Sequence, residues 1–368
     1  MQLWVNNMEL FSNKRECFGC GACEAVCPQK AISTVFDEEG FAYPTVNSEL
    51  CIQCGACKDV CPRGKEEGIR PDKAIAFTVD NPGLSSSGGA FPALAKLFWK
   101  EHPNAPVWGA GFDEELNVVH RCITSGEELP LIQGSKYVQS DLGGVYASVL
   151  SQLKEGQCVM FTGTACQAAG LAAAAGEYRD KLFIVDLICN GAASPAVWKK
   201  YLSSKEEEAG SKVASFAFRN RKYFMGRGVL CTFENGKYME CSHIEDIFSV
   251  CYQKSFTLRP ACYECSFTRL ERVSDITVGD FHGLDAIDPA FSSFGASLVL
   301  AHSEKGKMYA SELGSFGKYK EYSVEQCLQP RLKCPPSGSP LRKLILKDFI
   351  SLSPSLFKLK YAKLFVAQ

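Results

Sequence analysis

Residues 17–28 read CFGCGACEAVCP, and a second copy of this pattern, CIQCGACKDVCP, occupies residues 51–62. Both copies have the spacing C-x2-C-x2-C-x3-C-P, and the chain holds 19 cysteines among 368 residues. The first residues, MQLWVNNMEL, show neither a basic segment nor a long apolar stretch, so they do not predict a signal peptide. We therefore expect a cytoplasmic protein whose cysteines serve metal or redox chemistry rather than disulfides.

The spacing of this repeat is typical of two 4Fe-4S clusters. Two-residue spacings let one tight loop reach three irons, and the fourth cysteine of each copy serves the other cluster in two-cluster ferredoxins. Gly21 and Gly55 would let the backbone pass close to the sulfides. Two zinc sites are the alternative, although zinc sites rarely use this spacing in duplicate. The ligands predicted for the first cluster are Cys17, Cys20, Cys23 and Cys61, and those for the second are Cys51, Cys54, Cys57 and Cys27.

The rest of the chain has the pattern of an α/β domain, which begins within the turn-rich stretch 63–89. Helical spacing alternates with short apolar runs, which predicts parallel βαβ units. The predicted fold is an α+β ferredoxin-like two-cluster module followed by an α/β domain with a mixed, partly parallel sheet. We expect the module in residues 1–70, the α/β domain in 71–305 and a C-terminal extension in 306–368.

A second group of cysteines lies in the α/β domain. Cys166 and Cys189 each follow a predicted buried strand, at the edge where open α/β sheets bind ligands. The start of a helix at Cys166 is expected to lower the pKa of its thiol. Together with the C-x-x-C pair Cys262 and Cys265 they suffice for a third cluster. The alternative is two structural cysteines and a separate redox or zinc pair. For the remaining cysteines, Cys122, Cys158, Cys231, Cys241, Cys251, Cys327 and Cys334, the default is a small buried hydrophobe.

Clusters carry single electrons, whereas biological reductants usually deliver hydride, so a flavin is the expected neighbour. No GxGxxG or GxxxxGK[ST] motif is present. The sequence SSSGG, made of Ser85, Ser86, Ser87, Gly88 and Gly89, precedes a predicted helix and is a candidate phosphate cradle or simply a helix N-cap. A second candidate cradle is Gly163-Thr164.

Several charged side chains are candidates for contact with an anionic ligand or for proton transfer. Lys136 is a candidate for anion contact and a predicted catalytic residue near the isoalloxazine or the substrate. Asp280 and His282, also predicted to be catalytic, follow a predicted strand and suit proton transfer or a structural hydrogen bond. A solvated loop is the alternative interpretation of the basic cluster Arg219, Arg221, Lys222 and Arg227.

The net charge of the chain and one amphipathic segment indicate which kinds of partner to expect. The net charge of −1 gives no global basic field, so we expect no nucleic-acid partner. The segment LRKLILKDFI (341–350) has helical apolar spacing within a basic tail. It predicts either peripheral contact with a membrane surface or a helix that packs on the main domain.

Six short motifs occur in an order that resembles the beta subunit of the coenzyme F420-dependent hydrogenases and dehydrogenases. The resemblance runs from about Ser85 to His302, and the motifs are SSSGG, GSKYVQS, GTACQAAGL, DLICNGAASP, LRPACYECSF and RVSDITVGDFHG. Ala165, Asn190 and His282 depart from the proline, histidine and tryptophan that the family often has at these positions. These departures weaken any transfer of the family's substrate to this chain.

The resemblance implies FAD on the α/β domain and a cluster beside it. It places FAD near Ser85–Gly89, Gly163, Thr164 and Gln167, and it favours the third cluster on Cys166, Cys189, Cys262 and Cys265. The predicted function is an iron–sulfur flavoprotein oxidoreductase that passes electrons between a small-molecule two-electron substrate and a one-electron redox partner, such as ferredoxin or another subunit of a complex. The alternatives are a non-catalytic electron-transfer subunit and a zinc-bound interaction module.

Overall fold

The computed structural model describes residues 9–65, 68–220, 222–223, 227–289, 291 and 295–365. Its N-terminal module contains two short helices and an antiparallel hairpin. Each cysteine loop ends at a glycine with positive φ, Gly21 (77°) or Gly55 (82°), which caps the following helix. The elements are α1 (Ala22–Ala25), β1 (Ile32–Phe36), β2 (Ala42–Val46) and α2 (Ala56–Asp59).

The α/β domain and the segments after it contribute the remaining elements. The strands are β3 (Ala74–Thr78), β4 (Val107–Phe112), β5 (Val118–Ile123), β6 (Val159–Thr164), β7 (Leu182–Leu187), β8 (Val213–Ala217), β9 (Gly228–Phe233), β10 (Tyr238–Ser242), β11 (Ile276–Asp280), β12 (Ser297–Ala301) and β13 (Lys318–Tyr322). The helices are α3 (Ala90–Glu101), α4 (Val145–Lys154), α5 (Ala165–Ala175), α6 (Pro195–Ala209), α7 (Ile247–Gln253), α8 (Leu284–Ile287), α9 (Glu304–Ser311), α10 (Arg342–Ser351) and α11 (Pro354–Lys360).

Eight described strands form the main sheet in the order β13-β3-β12-β11-β7-β6-β4-β5. The pairs β11·β7, β7·β6 and β6·β4 are parallel, and the outer pairs are antiparallel. The sheet is therefore mixed and partly parallel, as predicted. Because β3 also runs in the direction of β11, the carboxyl ends of β3, β11, β7, β6 and β4 meet at one edge, and the candidate site lies there.

Both faces of the main sheet are buried. Met160, Phe183 and Val185 pack on one face with α3 and α9. Phe161 and Ile184 point to the opposite face, where α4 and α5 cover them. This double burial explains why β6 and β7 are continuous apolar runs rather than alternating ones.

A second, three-stranded sheet in the order β10-β9-β8 packs with α6 and α7 around Trp198. The helix α10 adds Ile345 and Phe349 to this core. This packing agrees with one of the two predictions for the basic tail, a helix that packs on the main domain. The other two predicted apolar positions, Leu341 and Leu344, are exposed. Contact with a membrane stays a prediction, and in the described residues no helix is long and apolar enough to span a bilayer.

Three strands of the main sheet, β3, β5 and β13, were not predicted from the sequence. Strand β3 is fully buried in the main sheet, although it lies within the turn-rich stretch. Strand β13 pairs with β3, so part of the expected C-terminal extension contributes to the sheet of the α/β domain. The α/β architecture is confirmed, whereas the ferredoxin-like detail of the first module and the domain limits stay predictions.

Candidate functional site

Four cysteines of the N-terminal module form a first group, which we call group I: Cys17, Cys20, Cys23 and Cys61. Burial raises the pKa of Cys17, Cys20 and Cys23, to about 12 for Cys23. Neighbouring thiolates raise these values further, and Cys61 acts on both Cys17 and Cys23. The fourth cysteine of the second repeat thus joins the first three of the first repeat, as the predicted exchange of ligands requires.

The other four cysteines of the module form group II: Cys27, Cys51, Cys54 and Cys57. All four line one small cavity between the repeats. The backbone N–H of Ala31 donates to Cys27 Sγ at 3.2 Å, a kind of bond that tunes cluster potentials. Cys54 is exposed, whereas every cysteine of group I is half-buried. Group II therefore includes a cysteine that is accessible from solvent.

Group III is formed by Cys166, Cys189, Cys262 and Cys265 in the α/β domain. Burial is the main cause that raises the pKa of each, to about 11 for Cys262 and about 12 for Cys265. Cys189 interacts electrostatically with the other three, and Cys166 interacts with Cys262 and Cys265. The strand ends at β6 and β7 and the C-x-x-C pair therefore converge, as the third-cluster hypothesis requires.

The prediction that the helix start lowers the pKa of Cys166 is wrong. Burial raises the pKa of this thiol, and it outweighs the opposing effects of Thr164 and Arg259. The same burial suits a cluster ligand, because iron binding replaces the thiol proton. Two backbone donors already point at this group: Gly191 N–H to Cys189 Sγ at 3.2 Å and Ala192 N–H to Cys262 Sγ at 3.5 Å.

The arrangement of the thiols bears on the zinc alternative. A tetrahedral zinc site holds its sulfurs about 3.8 Å apart, since each Zn–S bond is about 2.3 Å. Among the described residues, no group of three or more histidine, cysteine or acidic side chains could hold a single ion in this way. A cubane binds each thiolate to a different iron and spreads the sulfurs further. The absence of a single-ion site in the described residues is thus no argument for zinc on these cysteines.

The three groups form a continuous series. Cys23 of group I interacts electrostatically with Cys57 of group II. Cys20 of group I interacts with Cys166 of group III. Cys20 also packs against α5 at Gly170, where an added Cβ would lie 2.9 Å from Cys20 Sγ. The series therefore runs from the α/β domain through the module to the exposed Cys54.

Hydrogen bonds and an ion pair fix the module against the domain. Arg342 of α10 forms a bidentate pair with Glu39 at 2.9 and 2.6 Å. Ser194 donates to the backbone carbonyl of Glu39. The backbones of Ile69 and Arg272 exchange hydrogen bonds of 2.9 and 3.2 Å. Between module and domain lies a cavity of about 990 Å³ that reaches the group I cysteines.

The candidate flavin cradle contacts the loop that carries Lys136. Gln133 Nε2 donates to Ser85 Oγ at 3.4 Å, and Ser135 N–H donates to Ser86 Oγ at 2.8 Å. The amine of Lys136 is buried, although the side chain as a whole is half-buried, and burial lowers its pKa to about 7. It donates to the carbonyl of Gln133 at 2.6 Å. A buried amine on a loop that contacts the serines of the cradle suits an anionic ligand.

The glycines of the cradle have structural roles as well. A Cβ on Gly88 would meet the Phe77 carbonyl oxygen at 2.0 Å, so only glycine fits against β3. Gly89 caps α3 with a φ of 92°. The first free N–H of that helix, at Ala90, donates to Ser297 Oγ at 3.4 Å. Gly89 is thus the N-cap residue, but among the described residues no serine hydroxyl of SSSGG caps the helix, and phosphate binding by this loop stays a prediction.

The second candidate cradle lies elsewhere along the sheet edge. Thr164 and Gln167 form a capping box on α5, and Gln167 Nε2 donates to Ser140 Oγ at 2.9 Å. Thr164 Oγ1 lies 3.2 Å from Cys166 Sγ. Four strand spacings, about 19 Å, separate β6 from β3. Thr164 is thus brought to group III, and the strand that contains Gly163 lies four strands along the sheet from the one that precedes Ser85–Gly89.

The predicted proton-transfer residues lie at the end of β11. Asp280 accepts from Arg219 at 2.5 Å, whereas His282 is exposed. In the basic cluster Arg219 is engaged by Asp280, Lys222 pairs with Glu240, and Arg227 is exposed, while Arg221 lies outside the described residues. The structure therefore does not gather the basic cluster around one anion.

Sequence reasoning missed two features of the site. Tyr137 stacks on Tyr252 with ring centroids 4.5 Å apart, and Tyr252 interacts electrostatically with Cys189 and Cys262. This aromatic pair joins the Lys136 loop to group III. The second feature is Arg259, which contacts Cys17 and precedes Cys262 by three residues. The only sequence feature that could have indicated Arg259 is its place in the motif LRPACYEC.

Two of the remaining cysteines contradict the default of buried hydrophobes. Cys122 and Cys334 are exposed. Cys231, Cys251 and Cys327 are buried, and Cys158 and Cys241 are half-buried.

Comparisons with known proteins agree with this geometry. Residues 156–325 match the family model for the C terminus of the Coenzyme F420 hydrogenase/dehydrogenase beta subunit. Residues 16–65 match the 4Fe-4S dicluster domain. The chain is an iron–sulfur electron-transfer protein related to the beta subunit of the coenzyme F420 hydrogenases and dehydrogenases. The resemblance seen in the sequence is thus confirmed for the four later motifs, whereas SSSGG and GSKYVQS lie before the matched residues, and the match extends past His302.

Among solved structures, the chain resembles one from the F420-reducing [NiFe] hydrogenase complex of Methanosarcina barkeri, studied by xenon derivatization. The identity is 19%, the alignment covers 81% of this chain and 94% of that chain, and the TM-score is 0.46. No curated protein matches the chain.

Proposed function

We propose that the protein is an iron–sulfur flavoprotein oxidoreductase that exchanges two electrons with a small-molecule substrate and single electrons with a redox partner. The observation that carries the proposal is the series of three cysteine groups, which runs from the sheet edge to the exposed Cys54. Each group supplies the four thiolates that one cubane needs. A bound series of this kind would pass one electron at a time.

A flavin is the group that would convert hydride transfer into single-electron steps. In the proposal, Ser85–Gly89 and Lys136 hold its anionic part, and the charged form of Lys136 binds it. The pair Tyr137 and Tyr252 lies between that loop and group III. Gly163, Thr164 and Gln167 instead fix the start of α5, and so orient Cys166.

An electron-transfer role without catalysis is a second candidate function, and one observation favours it. Asp280 is held by Arg219, and His282 is exposed to solvent. Neither side chain is placed as a free acid or base in an enclosed site. In this alternative the substrate reacts on a partner polypeptide, and this chain carries only the electrons.

Anaerobic purification with iron, sulfide and flavin measured per chain tests the proposal. About twelve irons and one flavin are expected. About eight irons per chain would mean that group III holds no cluster. A lack of bound flavin would favour the second candidate function, electron transfer without catalysis. Zinc without acid-labile sulfide would contradict the proposal altogether.

Cys20→Ala separates the two cofactors. Cys20 belongs to group I, so the variant is expected to lose about four irons, those of that cluster. It is expected to keep its flavin, because Cys20 is not part of the Ser85 loop. Cys251→Ala is the matched control, because Cys251 is a buried cysteine in the core around Trp198. It is expected to keep both iron and flavin.

A further inference from the structure

Arg259 is among the largest fully buried side chains, with 1% of its surface exposed. Its Nε donates to the Cys17 carbonyl oxygen at 2.7 Å, and its two terminal nitrogens donate to Gln139 Oε1 at 2.9 Å and to the Ala42 carbonyl oxygen at 2.8 Å. The nitrogen that binds Ala42 also lies 3.6 Å from Cys17 Sγ. The guanidinium is thus directed at a ligand of group I.

The charge of Arg259 has no carboxylate partner in the described part of the chain, unlike other buried arginines. Arg342 pairs with Glu39 at 2.6 Å, and Arg272 pairs with Asp186 at 3.4 Å. Arg259 instead lies over the ring of Tyr43, 4.1 Å from its centroid. An arginine cannot lose its charge in a protein, and a buried unpaired charge is costly. The site therefore calls for negative charge nearby.

The cysteine groups are the source of negative charge within reach. Arg259 contacts Cys17 of group I and acts electrostatically on Cys166 and Cys262 of group III. It caps the short helix Pro260–Glu264, which carries Cys262. Gly19 leaves the space for it, since a Cβ there would lie 2.7 Å from the guanidinium. Arg259 therefore stands between two of the three groups.

We propose that Arg259 is a positioning residue that raises the reduction potential of the group I cluster and so draws electrons from group III into the module. This inference rests on the proposed function. With clusters held by the cysteines of both groups, one electron would leave the cluster on group III, which would be oxidised, and enter the cluster on group I, which would be reduced. No bond is formed or broken, and no proton is transferred. The added negative charge is stabilised by the cation beside Cys17, and such hydrogen bonds and charges set cluster potentials.

Two variants test the charge of Arg259, and the readout is the midpoint potential of each cluster in an anaerobic redox titration followed by EPR. Arg259→Gln is expected to shift the group I equilibrium at least tenfold toward the oxidised form, which is ~59 mV for one electron. Gln139→Glu places a carboxylate against the guanidinium with no change in size, so it is expected to shift the potential in the same direction.

Arg342→Gln is the matched control. It removes a buried cation from the same interface, but Arg342 is already paired with Glu39, and the cysteine on which it acts electrostatically, Cys262, belongs to group III and not to group I. It is expected to leave the group I potential unchanged. Arg259→Lys keeps the charge without the fork of donors, so its potential is expected between those of the wild type and Arg259→Gln.

The iron content distinguishes a failure of the proposed function from a failure of the inference about Arg259. If the wild type holds no clusters, the proposed function fails and this inference fails with it. If Gln139→Glu or Arg259→Gln keeps its iron and its group I potential equals that of the wild type, the inference alone is overturned. A shift of equal size in Arg342→Gln would overturn it as well, because a general effect of the interface would then explain the change.

Discussion

Lys136 is a buried amine in the candidate flavin loop, and its protonation links ligand binding to pH. Burial lowers its pKa from 10.5 to about 7. Between these two values the folded chain releases the proton while the unfolded chain keeps it. The ligand-free protein is therefore expected to become more stable as the pH rises through this window.

Binding of FAD is expected to show the opposite trend. An anionic ligand needs the charged amine, so above pH 7 binding takes up a proton, and the affinity falls by up to about tenfold per pH unit. Titration of the flavin-free protein with FAD, followed by fluorescence, measures this slope. Lys136→Met is expected to bind FAD more weakly at neutral pH and to lose the slope. The exposed Lys154→Met should keep both the affinity and the slope, and a slope retained in Lys136→Met would rule out the assigned contact.

Single residues also show what a sequence can and cannot reveal about the site. Ten of the twelve cysteine positions were predicted because the spacing of ligands along one loop or C-x-x-C pair is a local property, whereas Cys166 and Cys189 were predicted from their places after buried strands. Arg259 and the pair Tyr137 and Tyr252 were not predicted, because their contacts join segments distant in the chain. The pKa of Cys166 was predicted in the wrong direction, since burial in the folded chain outweighs the local effect of a helix start.

Among the helices, α5 carries a glycine where alanine would ordinarily be better. Replacing a helical glycine by alanine usually stabilises a helix by about 1 kcal/mol. At Gly170 the new Cβ would lie 2.9 Å from Cys20 Sγ and 3.3 Å from the Cβ of Ala22. We expect Gly170→Ala to displace the first cysteine loop and to lower the iron content by about four atoms.

Iron analysis of the anaerobically purified variant checks this expectation. Ala173→Gly is the control, because Ala173 is exposed on the same helix and the change costs about 1 kcal/mol of helix propensity without touching Cys20. The control should keep its iron. Full iron content in Gly170→Ala would show that the module adjusts to the added methyl group.

The helix α10 is held by its apolar side rather than left free. Phe349 is buried and packs edge-on against Phe357, with ring centroids 5.2 Å apart. We expect Phe349→Ala to lower the free energy of unfolding by about 3–5 kcal/mol. The exposed Leu344→Ala should change it by no more than about 0.5 kcal/mol. Anaerobic urea denaturation measures both, and equal effects would contradict the packing of this helix.

A helix or strand could be predicted where the periodic pattern of apolar residues extended over many positions, or where turn residues bounded an apolar run. Helix α3 and strand β4 follow the predicted ranges closely. Strand β3 was missed, because five residues within a polar, turn-rich stretch carry little periodic signal. Its strand identity comes from pairing with β12 and β13, which lie more than 200 residues later.

For the whole molecule, the order of the three groups predicts which change interrupts which transfer. Group II holds the exposed Cys54 and lies at the end of the series. We expect Cys54→Ser to abolish transfer from the photoreduced protein to an added two-cluster ferredoxin. The flavin should still be photoreduced, because the Ser85 loop and group III are untouched.

Anaerobic stopped-flow absorbance measures both steps. Cys334→Ser also replaces an exposed cysteine, but Cys334 belongs to none of the three groups, so both steps should continue. Unimpaired reduction of the ferredoxin by Cys54→Ser would mean that electrons leave from group I or group III instead.

The contacts through Glu39, Ile69 and Arg259 hold the module against the domain on several sides. In the proposed function, the distances that an electron crosses inside the chain would therefore be set once, when the protein folds, and not at each encounter between moving parts. Internal transfer would then be a first-order process that neither dilution nor a viscous solvent slows. Only the last step, the collision of a separate molecule with the end at Cys54, would depend on concentration.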